Sequence, residues 1–411
     1  MQTISKRGSA NDQVSSVITI HLCLMNCKNI LVATSSFFSQ FNDRLNLLMM
    51  VVFAIVYGRL VIKTRLLNKI PTVTYVTIIF LAAFIAVSCL FDRKLFVSDV
   101  FPYSFVPKQF RTFIAYCFPL FIATSALTDI GILMKKLYAS IYIMIPFVLF
   151  GLFCSLLSSE SSYEYSMSYG YSVLYVFCLL LIKSLSIKSW KDSIFRVICV
   201  IAIVLVGSRG PLACIIAAYF IAATQKPLTM GRCVLWIFLL IIAAIFMVAY
   251  KEILNGLALL LDSMNISSRT VRMLINGQIT YDSGRNEYYE VLIAAINKSP
   301  LIGLGAFGGE KTVGKAHNLY LDVFANFGYV LGGIFLAILL YRVVCALATR
   351  RRDYCEILWL LLMLTGIRGF FSDSFWATKE LWMIMGVLIS YSQKRRVEQY
   401  RSTCLNREII S

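Results

Sequence analysis

The sequence predicts an all-α protein embedded in a membrane, with about twelve transmembrane helices. Apolar residues make up 59% of the 411 residues and charged residues only 15%, whereas soluble domains contain about 45–50% and about 25%. The mean hydropathy is +0.76. Apolar runs close to the ~20 residues that cross a bilayer recur along the whole length. We therefore predict one membrane domain over residues 1–411, with no separate soluble domain.

Hydropathy gives the order of the predicted spans. They lie near 14–38, 45–62, 73–91, 110–134, 137–157, 168–183, 193–207, 210–224, 232–250, 318–342, 355–371 and 378–392. The connection at 251–317, between the ninth and tenth spans, is the longest. Its composition is typical of a water-exposed segment, so we predict a large external loop with short helices that lie on the membrane.

The basic residues cluster on one side of these spans. Lys and Arg outnumber Asp and Glu by 39 to 21, which gives a net charge of +18. The connections assigned to the basic side include Lys63, Arg65, Lys69, Lys135, Lys136, Lys188, Lys191, Arg350, Arg351 and Arg352. The positive-inside rule places that side and both termini in the cytoplasm. Because such residues meet anionic lipid head groups, the charge predicts membrane lipids as partners, not nucleic acid.

The cysteines and carboxylates give no sign of a metal. Twelve cysteines are scattered through the chain and none lies within 251–317, so neither a disulfide framework nor a metal-type spacing is present. The external connections contain no recurring pair of carboxylates that would hold a cation. We expect neither a metal nor a cofactor.

The second external connection, residues 92–111, mixes both charges with aromatic residues and two prolines. This composition favours a loop lying on the lipid head groups, and contact with substrate is the alternative. The third, residues 158–170, is acidic and rich in tyrosine. It favours an interfacial aromatic belt, with carbohydrate stacking as the alternative.

A short external turn, GSRGP at residues 207–211, separates two apolar runs. Its glycines permit a tight reversal with the backbone close to a ligand, and Pro211 suits the first turn of the next helix. An arginine within the bilayer costs about 2.5–3.5 kcal/mol on insertion scales, and no flanking carboxylate can pair with Arg209. We predict that Arg209 binds an anion and that Ser208 contributes to substrate binding. The alternative is that Arg209 only extends to the head groups.

The long external loop contains a predicted helix, SGRNEYYEVLIAAINKS at residues 283–299. Either Asp282 or Ser283 can cap its N-terminus. Four residues share one face at helical spacing: Tyr289, Leu292, Ile293 and Ile296. This spacing predicts an amphipathic helix.

Arg285 stands in the first turn of this helix. A helix N-terminus already favours anions, so a cation there does not help the helix and can instead serve a bound phosphate. The alternative is an ion pair with Glu287 or Asp282.

The segment GLGAFGG at 303–309 formally contains a GxGxxG pattern. We do not interpret it as a dinucleotide site, because no strand precedes it and the loop is external. We predict a flexible loop apposed to substrate.

His317 and Asn318 open the tenth predicted span. A neutral imidazole, with an ordinary pKa near 6.5, suits the removal of a proton from a sugar hydroxyl at neutral pH. A structural role is the alternative for His317, and it is the role we assign to His21 in the first span.

The last external connection, residues 368–380, brings Arg368, Asp373 and Lys379 to the same side. We predict an ion pair between Arg368 and Asp373. Binding of a substrate phosphate by Arg368 is a secondary possibility.

Three motifs in order, GSRGP, SGRNEYYEVLIAAINKSPLIGLGAFG and AHNLYLDVFANFGYVLGGI, resemble the O-antigen polymerase and O-antigen ligase superfamily of bacterial envelopes. They cover roughly residues 207–333. The resemblance implies a metal-independent, inverting glycosyltransferase of the GT-C type in the inner membrane. Its donor would be a glycan linked to undecaprenyl diphosphate, and its active site would face the periplasm. A chain-length regulator and a flippase are the protein partners that it implies.

By this resemblance, Arg209 and Arg285 would bind the diphosphate, His317 would assist the acceptor hydroxyl and Asn318 would orient the site. Within the superfamily we favour a polymerase, which transfers the growing chain onto a new lipid-linked repeat unit. The alternative is a ligase, which transfers finished polymer onto lipid A core. A flippase or transporter and an inactive scaffold are the alternatives of other classes.

Overall fold

The computed structural model describes residues 2–96, 101–157, 167–206, 209–224 and 285–410, with a few isolated positions between 252 and 275. The predicted ninth span, most of the external loop up to residue 284 and Ser208 lie outside these residues. The described residues are overwhelmingly helical and no strand occurs among them, which confirms the all-α fold class.

The helices follow each other along the chain with short connections. They are α1 Gln2–Thr34, α2 Ser36–Gln40, α3 Asn42–Thr64, α4 Thr72–Phe91, α5 Phe105–Thr112, α6 Phe118–Ser125, α7 Ile130–Leu157, α8 Met167–Ser186, α9 Trp190–Val206 and α10 Arg209–Thr224. After the undescribed segment come α11 Arg285–Asn297, α12 Gly308–Val313, α13 Leu319–Ala348, α14 Arg352–Thr365, α15 Arg368–Phe371 and α16 Lys379–Ile410. A π-helical turn, Phe113–Cys117, joins α5 to α6.

Within the described ranges, seven stretches are long and apolar enough to cross a membrane. They are Ala10–Thr34, Asn42–Thr64, Thr72–Phe91, Ile130–Cys154, Met167–Ser186, Leu319–Ala348 and Arg352–Phe371. Gly210–Ala223 is a shorter apolar helix. These helices support a multi-pass membrane protein, and the count of twelve stays a prediction.

One predicted connection is wrong. We expected Lys135 and Lys136 to separate two spans, but both lie inside α7, and the break falls at residues 126–129. The Lys136 Nζ binds Asp12 Oδ1 at 2.8 Å and donates to Ser16 Oγ at 2.8 Å. The Lys136 charge is thus paired with α1, and Lys135 is exposed on the same helix.

The chain divides into two compact units. The first comprises Met1–Leu22, Asn46–Leu137 and Gly284–Ser411. Its core is an aromatic cluster centred on Trp376, which is fully buried. Phe307 stacks on Trp376 with ring centroids 4.5 Å apart, and Phe113 meets it edge-on at 5.2 Å. This cluster holds the last external connection against α12 and the π-helical turn.

The second unit comprises Cys23–Leu45 and Tyr138–Ser283. Helix α8 is its centre, because residues 169–181 are almost completely shielded from solvent and α8 packs against α9 and α10. The Lys183 Nζ binds Asp192 Oδ2 at 2.8 Å, and Asp192 is completely buried. This ion pair joins the end of α8 to the start of α9.

Candidate active site

Helix α11 begins at Arg285 and packs its apolar face on the first unit. Leu292 and Ile296 are completely buried, as predicted. Ile293, on the same apolar face, is 42% exposed. Successive residues of an α-helix are about 100° apart, and Ile293 falls beyond the narrow stripe that contacts Val313 and Ala316. Packing of this stripe fixes where the first turn of α11 lies.

Arg285 reaches the last external connection. Its Nη1 donates a hydrogen bond to the Phe371 carbonyl at 2.8 Å. The alternative ion pair with Glu287 does not occur, and no other carboxylate lies within 4 Å of Arg285 among the described residues. Asp282, the other carboxylate we considered, lies outside them. Arg285 is therefore held by a neutral backbone group, which leaves its positive charge available for an anion.

His317 stands immediately before α13 in a strained conformation. Its φ of 53° is left-handed, which is uncommon for a residue other than glycine and clusters at functional sites. The Tyr289 hydroxyl donates to the His317 carbonyl at 3.5 Å. The Nδ1 atom is buried and has no hydrogen-bond partner within the described ranges. Nothing in this part of the protein therefore fixes the tautomer of the ring.

The pKa of His317 is lowered from 6.5 to about 4, first by burial and then by the charges of Lys315 and Arg285. The imidazole is therefore neutral at physiological pH, as a proton acceptor must be. It is a weaker base than its ordinary pKa suggests, which corrects the value we assumed from the sequence. The same shift shows that the charges of Lys315 and Arg285 act on the ring.

Asn318 caps helix α13. Its Oδ1 accepts hydrogen bonds from the Tyr320 and Leu321 backbone N–H groups, both at 3.0 Å. An N-cap of this kind stabilises a helix by about 1 kcal/mol. The carboxamide oxygen is therefore engaged in folding, and it fixes the start of the helix that follows His317.

Lys315 is a cation that the sequence analysis missed. It is half-buried and forms no ion pair within 4 Å among the described residues. Burial lowers the pKa of Lys315; the carboxylate of Asp373 opposes this shift, and the positive charges of Arg368, Lys108 and Arg285 reinforce it. Its position two residues before His317 could have identified it as a cation near the site. Lys108 also shows that the second external connection reaches this site electrostatically.

The predicted ion pair between Arg368 and Asp373 is present. Arg368 Nη2 donates to Asp373 Oδ1 at 2.6 Å, and its Nη1 lies 3.8 Å from Glu380 Oε1. Lys379 Nζ binds the same Glu380 oxygen at 2.8 Å. Asp373 has a left-handed φ of 97°, and burial raises its pKa although Arg368 acts in the opposite direction. The cations Arg368 and Lys379 are thus neutralised within the protein.

A buried acidic pair anchors this connection. The Ser374 hydroxyl donates to Glu310 Oε1 at 2.6 Å, and the Phe375 N–H donates to Asp322 Oδ2 at 2.6 Å. Both carboxyl groups are almost completely buried, and burial raises the pKa of Glu310. These bonds fasten the segment after Asp373 to α12 and α13, which fixes the Arg368–Asp373 pair relative to His317.

The glycine-rich segment is packed, contrary to the flexible loop that we expected. Leu304 N–H donates to the Ala325 carbonyl at 2.8 Å, and Ala306 N–H donates to Ser88 Oγ at 2.8 Å. Gly303 has a φ of 71°, and a Cβ there would lie 2.3 Å from the backbone nitrogen of Gly328, where α13 is kinked. The glycines therefore permit two backbones to meet, and they do not form a mobile substrate loop.

The described residues do not show whether Arg209 and Ser208 belong to this cluster. Arg209 is the first residue of α10, in the second unit, and its side chain lies outside what the structure describes. Their predicted roles stay predictions.

The first unit thus gathers two kinds of cation. Arg368 and Lys379 are paired with carboxylates, whereas Arg285 and Lys315 have no such partner in the described part of the chain. Both of these cations lower the pKa of His317, the neutral histidine that precedes α13. No group of three or more His, Cys, Asp or Glu residues with metal-binding geometry occurs within the described ranges.

Residues 194–337 match the family model described as O-antigen ligase. The match runs from α9 into α13 and includes Arg209, Arg285 and His317. No curated protein matches the chain. Over residues 194–337, the family match confirms the resemblance of this chain to the O-antigen polymerase and ligase superfamily.

Proposed function

We propose that this protein is a polysaccharide polymerase that transfers an undecaprenyl-diphosphate-linked glycan onto a new lipid-linked repeat unit. The observation that supports it most is the cluster of Arg285, Lys315 and His317. It combines two cations that lack a carboxylate partner in the described part of the chain with one neutral base. The site is proposed to face the periplasm of an inner membrane.

The proposed step is a single displacement. The acceptor hydroxyl oxygen attacks the anomeric carbon of the donor sugar, a glycosidic bond forms, and the bond from that carbon to the diphosphate oxygen breaks. His317 takes the hydroxyl proton, and undecaprenyl diphosphate leaves. Arg285 and Lys315 stabilise the charge that develops on the leaving oxygen, each charge-assisted hydrogen bond contributing on the order of 1.5–3 kcal/mol.

Donor binding and base strength are coupled in this arrangement. Lys315 and Arg285 lower the pKa of His317 in the free protein. A diphosphate bound between them would offset both charges, so that the pKa of His317 rises towards its ordinary value. His317 would therefore become a stronger base only when the donor is in place.

Arg209 is proposed as the second guanidinium of the diphosphate site, with Ser208 as a substrate-binding neighbour and Arg368 as a secondary phosphate ligand. Arg368 already binds Asp373 and Glu380, so we assign it mainly to positioning. Because side-chain cations would neutralise the leaving group, we propose that neither metal nor cofactor is required. A chain-length regulator and a flippase are proposed as protein partners.

The second candidate is ligation of polymer to lipid A core, which the description of the matching family favours. The transporter alternative predicts ionisable groups near the bilayer midplane. The proposed cluster lies instead at the start of helices, with Arg285 opening α11 and His317 preceding α13.

Deletion of the gene in its native host tests these functions. Surface polysaccharide would be separated on a gel, and undecaprenyl-linked glycans would be extracted from the same cells. A polymerase predicts single repeat units on lipid A core without a ladder. A ligase predicts lipid-linked polymer with bare core. An unchanged ladder would contradict both.

A further inference from the structure

A second basic site lies at the far ends of α13 and α16, within the first unit. A cavity of about 240 Å³ opens there. Its polar lining includes Arg342 of α13 and five residues on neighbouring turns of α16: Tyr391, Ser392, Arg395, Arg396 and Gln399. No acidic residue lines it within the described part of the chain.

Among the residues that the structure describes, no carboxylate neutralises the arginines of this cavity. Arg342 Nη2 donates to Ser392 Oγ at 3.3 Å, a neutral partner. Arg395 and Arg396 are exposed and form no ion pair with a residue that the structure describes. The nearest carboxylate along the helix, Glu398, is bound to Arg351. Three guanidiniums therefore line the cavity with no carboxylate partner in the described part of the chain.

Tyr391 supplies an independent indication of a ligand. Its side chain lines the cavity and is only 6% exposed. Its buried hydroxyl has no hydrogen-bond partner among the described residues. A buried hydroxyl without a partner is unfavourable, and an oxygen of a bound ligand would satisfy it.

An apolar groove continues from this cavity along the spans. It has a volume of about 190 Å³ and shares Arg342 and Leu388 with the basic cavity. Its other lining residues come from four helices: Val73, Thr77, Phe121, Phe335, Ile338, Leu339, Met385 and Ile389. Ile338 is 57% exposed, so the groove opens towards the surrounding bilayer.

We propose that the cavity and groove together bind one anionic phospholipid, with its phosphate among the arginines and an acyl chain in the groove. Basic cavities between transmembrane helices at the cytoplasmic side are suited to anionic head groups, and the positive-inside rule assigns this end to the cytoplasm. Arg342 lies near the C-terminal end of α13, beyond the kink at Gly328, whereas Leu319 opens the helix. The site is therefore separate from the Arg285–His317 cluster.

Lipid binding to the purified full chain tests this proposal. Native mass spectrometry would measure retention of dioleoylphosphatidylglycerol against dioleoylphosphatidylcholine, which has the same acyl chains and no net charge. We expect phosphatidylglycerol to be retained preferentially. Each basic residue near a membrane surface contributes about fivefold in affinity, so the double variant R395Q/R396Q should weaken its binding more than tenfold.

Two further variants distinguish loss of binding at this site from a general loss of lipid binding. Arg59→Gln removes an exposed arginine of α3 outside the cavity and should leave retention unchanged. Ile338→Trp fills the groove while every arginine is kept, and it should also weaken phosphatidylglycerol binding. Size-exclusion profiles like that of the wild type would show that the variants are folded.

Three outcomes would overturn the assignment. Equal retention of the two lipids would remove the role of the arginines. Complete displacement of phosphatidylglycerol by glycerol phosphate would remove the role of the groove. Stronger retention of undecaprenyl phosphate than of phosphatidylglycerol would assign the site to the isoprenoid carrier instead.

Discussion

The guanidinium of Arg285 donates a 2.8 Å hydrogen bond to the carbonyl of Phe371. This bond connects the first turn of α11 to the connection that carries the Arg368–Asp373 ion pair. Two segments 86 residues apart in sequence thereby meet beside His317. Because the acceptor is neutral, the bond orients Arg285 without cancelling its charge.

Arg285→Lys should lower the rate of glycan transfer about ten- to a hundredfold. Lysine keeps the charge but loses the planar fork that matches two phosphate oxygens, and a lost charge-assisted hydrogen bond costs about 1.5–3 kcal/mol. The measurement is polymer formation from undecaprenyl-diphosphate-linked repeat units by purified protein. Arg59→Lys, an exposed position in α3, is the matched control. Full activity of Arg285→Lys would show that the arginine has only a structural role.

The pH profile should separate the free protein from its donor complex. The pKa of His317 is about 4 in the free protein, and the imidazole must be neutral to accept a proton. We therefore expect kcat/KM to fall only as the pH drops through about 4, because kcat/KM reports the free enzyme. The corresponding fall in kcat should occur at higher pH, since bound diphosphate offsets the neighbouring charges. Identical acid limbs would contradict this coupling.

Lys315→Met should raise the KM for the lipid-linked donor and shift the acid limb of kcat/KM to higher pH. The side chains are similar in length, but the variant removes one of the charges that lower the pKa of His317. The pH titration of activity measures this shift, which a purely structural role would not produce. Lys315→Arg keeps the charge and is the control. If the acid limb of the kcat/KM profile stays at the same pH in Lys315→Met, Lys315 does not lower the pKa of His317.

Asn318→Ala should reduce thermal stability, with an expected cost of about 1 kcal/mol for the lost N-cap. Asn318→Asp and Asn318→Ser keep a side-chain oxygen for the Tyr320 and Leu321 N–H groups. Both should therefore retain stability and most of the activity. Thermal unfolding and glycan transfer would be measured on the same preparations. Loss of activity in both conservative variants, with stability intact, would instead indicate direct contact with substrate.

Glu310→Gln should be tolerated, whereas Ser374→Ala should destabilise the protein. Burial raises the pKa of Glu310, which favours its neutral form, and glutamine keeps an acceptor for the Ser374 hydroxyl. Removal of that hydroxyl leaves a buried carboxyl oxygen without its donor, at a cost of about 1–3 kcal/mol. Thermal unfolding of the two variants measures the difference. If Glu310→Gln were less stable than Ser374→Ala, Glu310 would not be the neutral hydrogen-bond acceptor that we assign.

Chelation should leave transfer activity unchanged. In the proposed step, Arg285 and Lys315 offset the charge of the leaving diphosphate, so no divalent cation is needed. Purified protein would be assayed before and after treatment with EDTA, followed by addition of Mg²⁺ or Mn²⁺. Loss of activity that only a metal restores would reject the metal-independent mechanism.

Much of the fold was predictable because it follows from local properties of the chain. Apolar composition and run length predicted an all-α membrane protein, and helical spacing predicted that Leu292 and Ile296 are buried. Local patterns failed where a distant partner decided the outcome. Lys136 lies inside a helix, where it pairs with Asp12 of α1, and the glycine-rich segment is packed because α13 is kinked at Gly328.

The sequence by itself determined the fold class and the Arg368–Asp373 pair, because each rests on composition or on residues close together in the chain. Its motifs also led us to propose Arg285 and His317 as site residues. Only the tertiary structure decided the charge state of the site. The pKa of His317 near 4 depends on burial and on the charges of Arg285 and Lys315. The neutral partner of Arg285 depends on the position of Phe371. Burial and long-range charge are properties of packing, and no local pattern in the sequence encodes them.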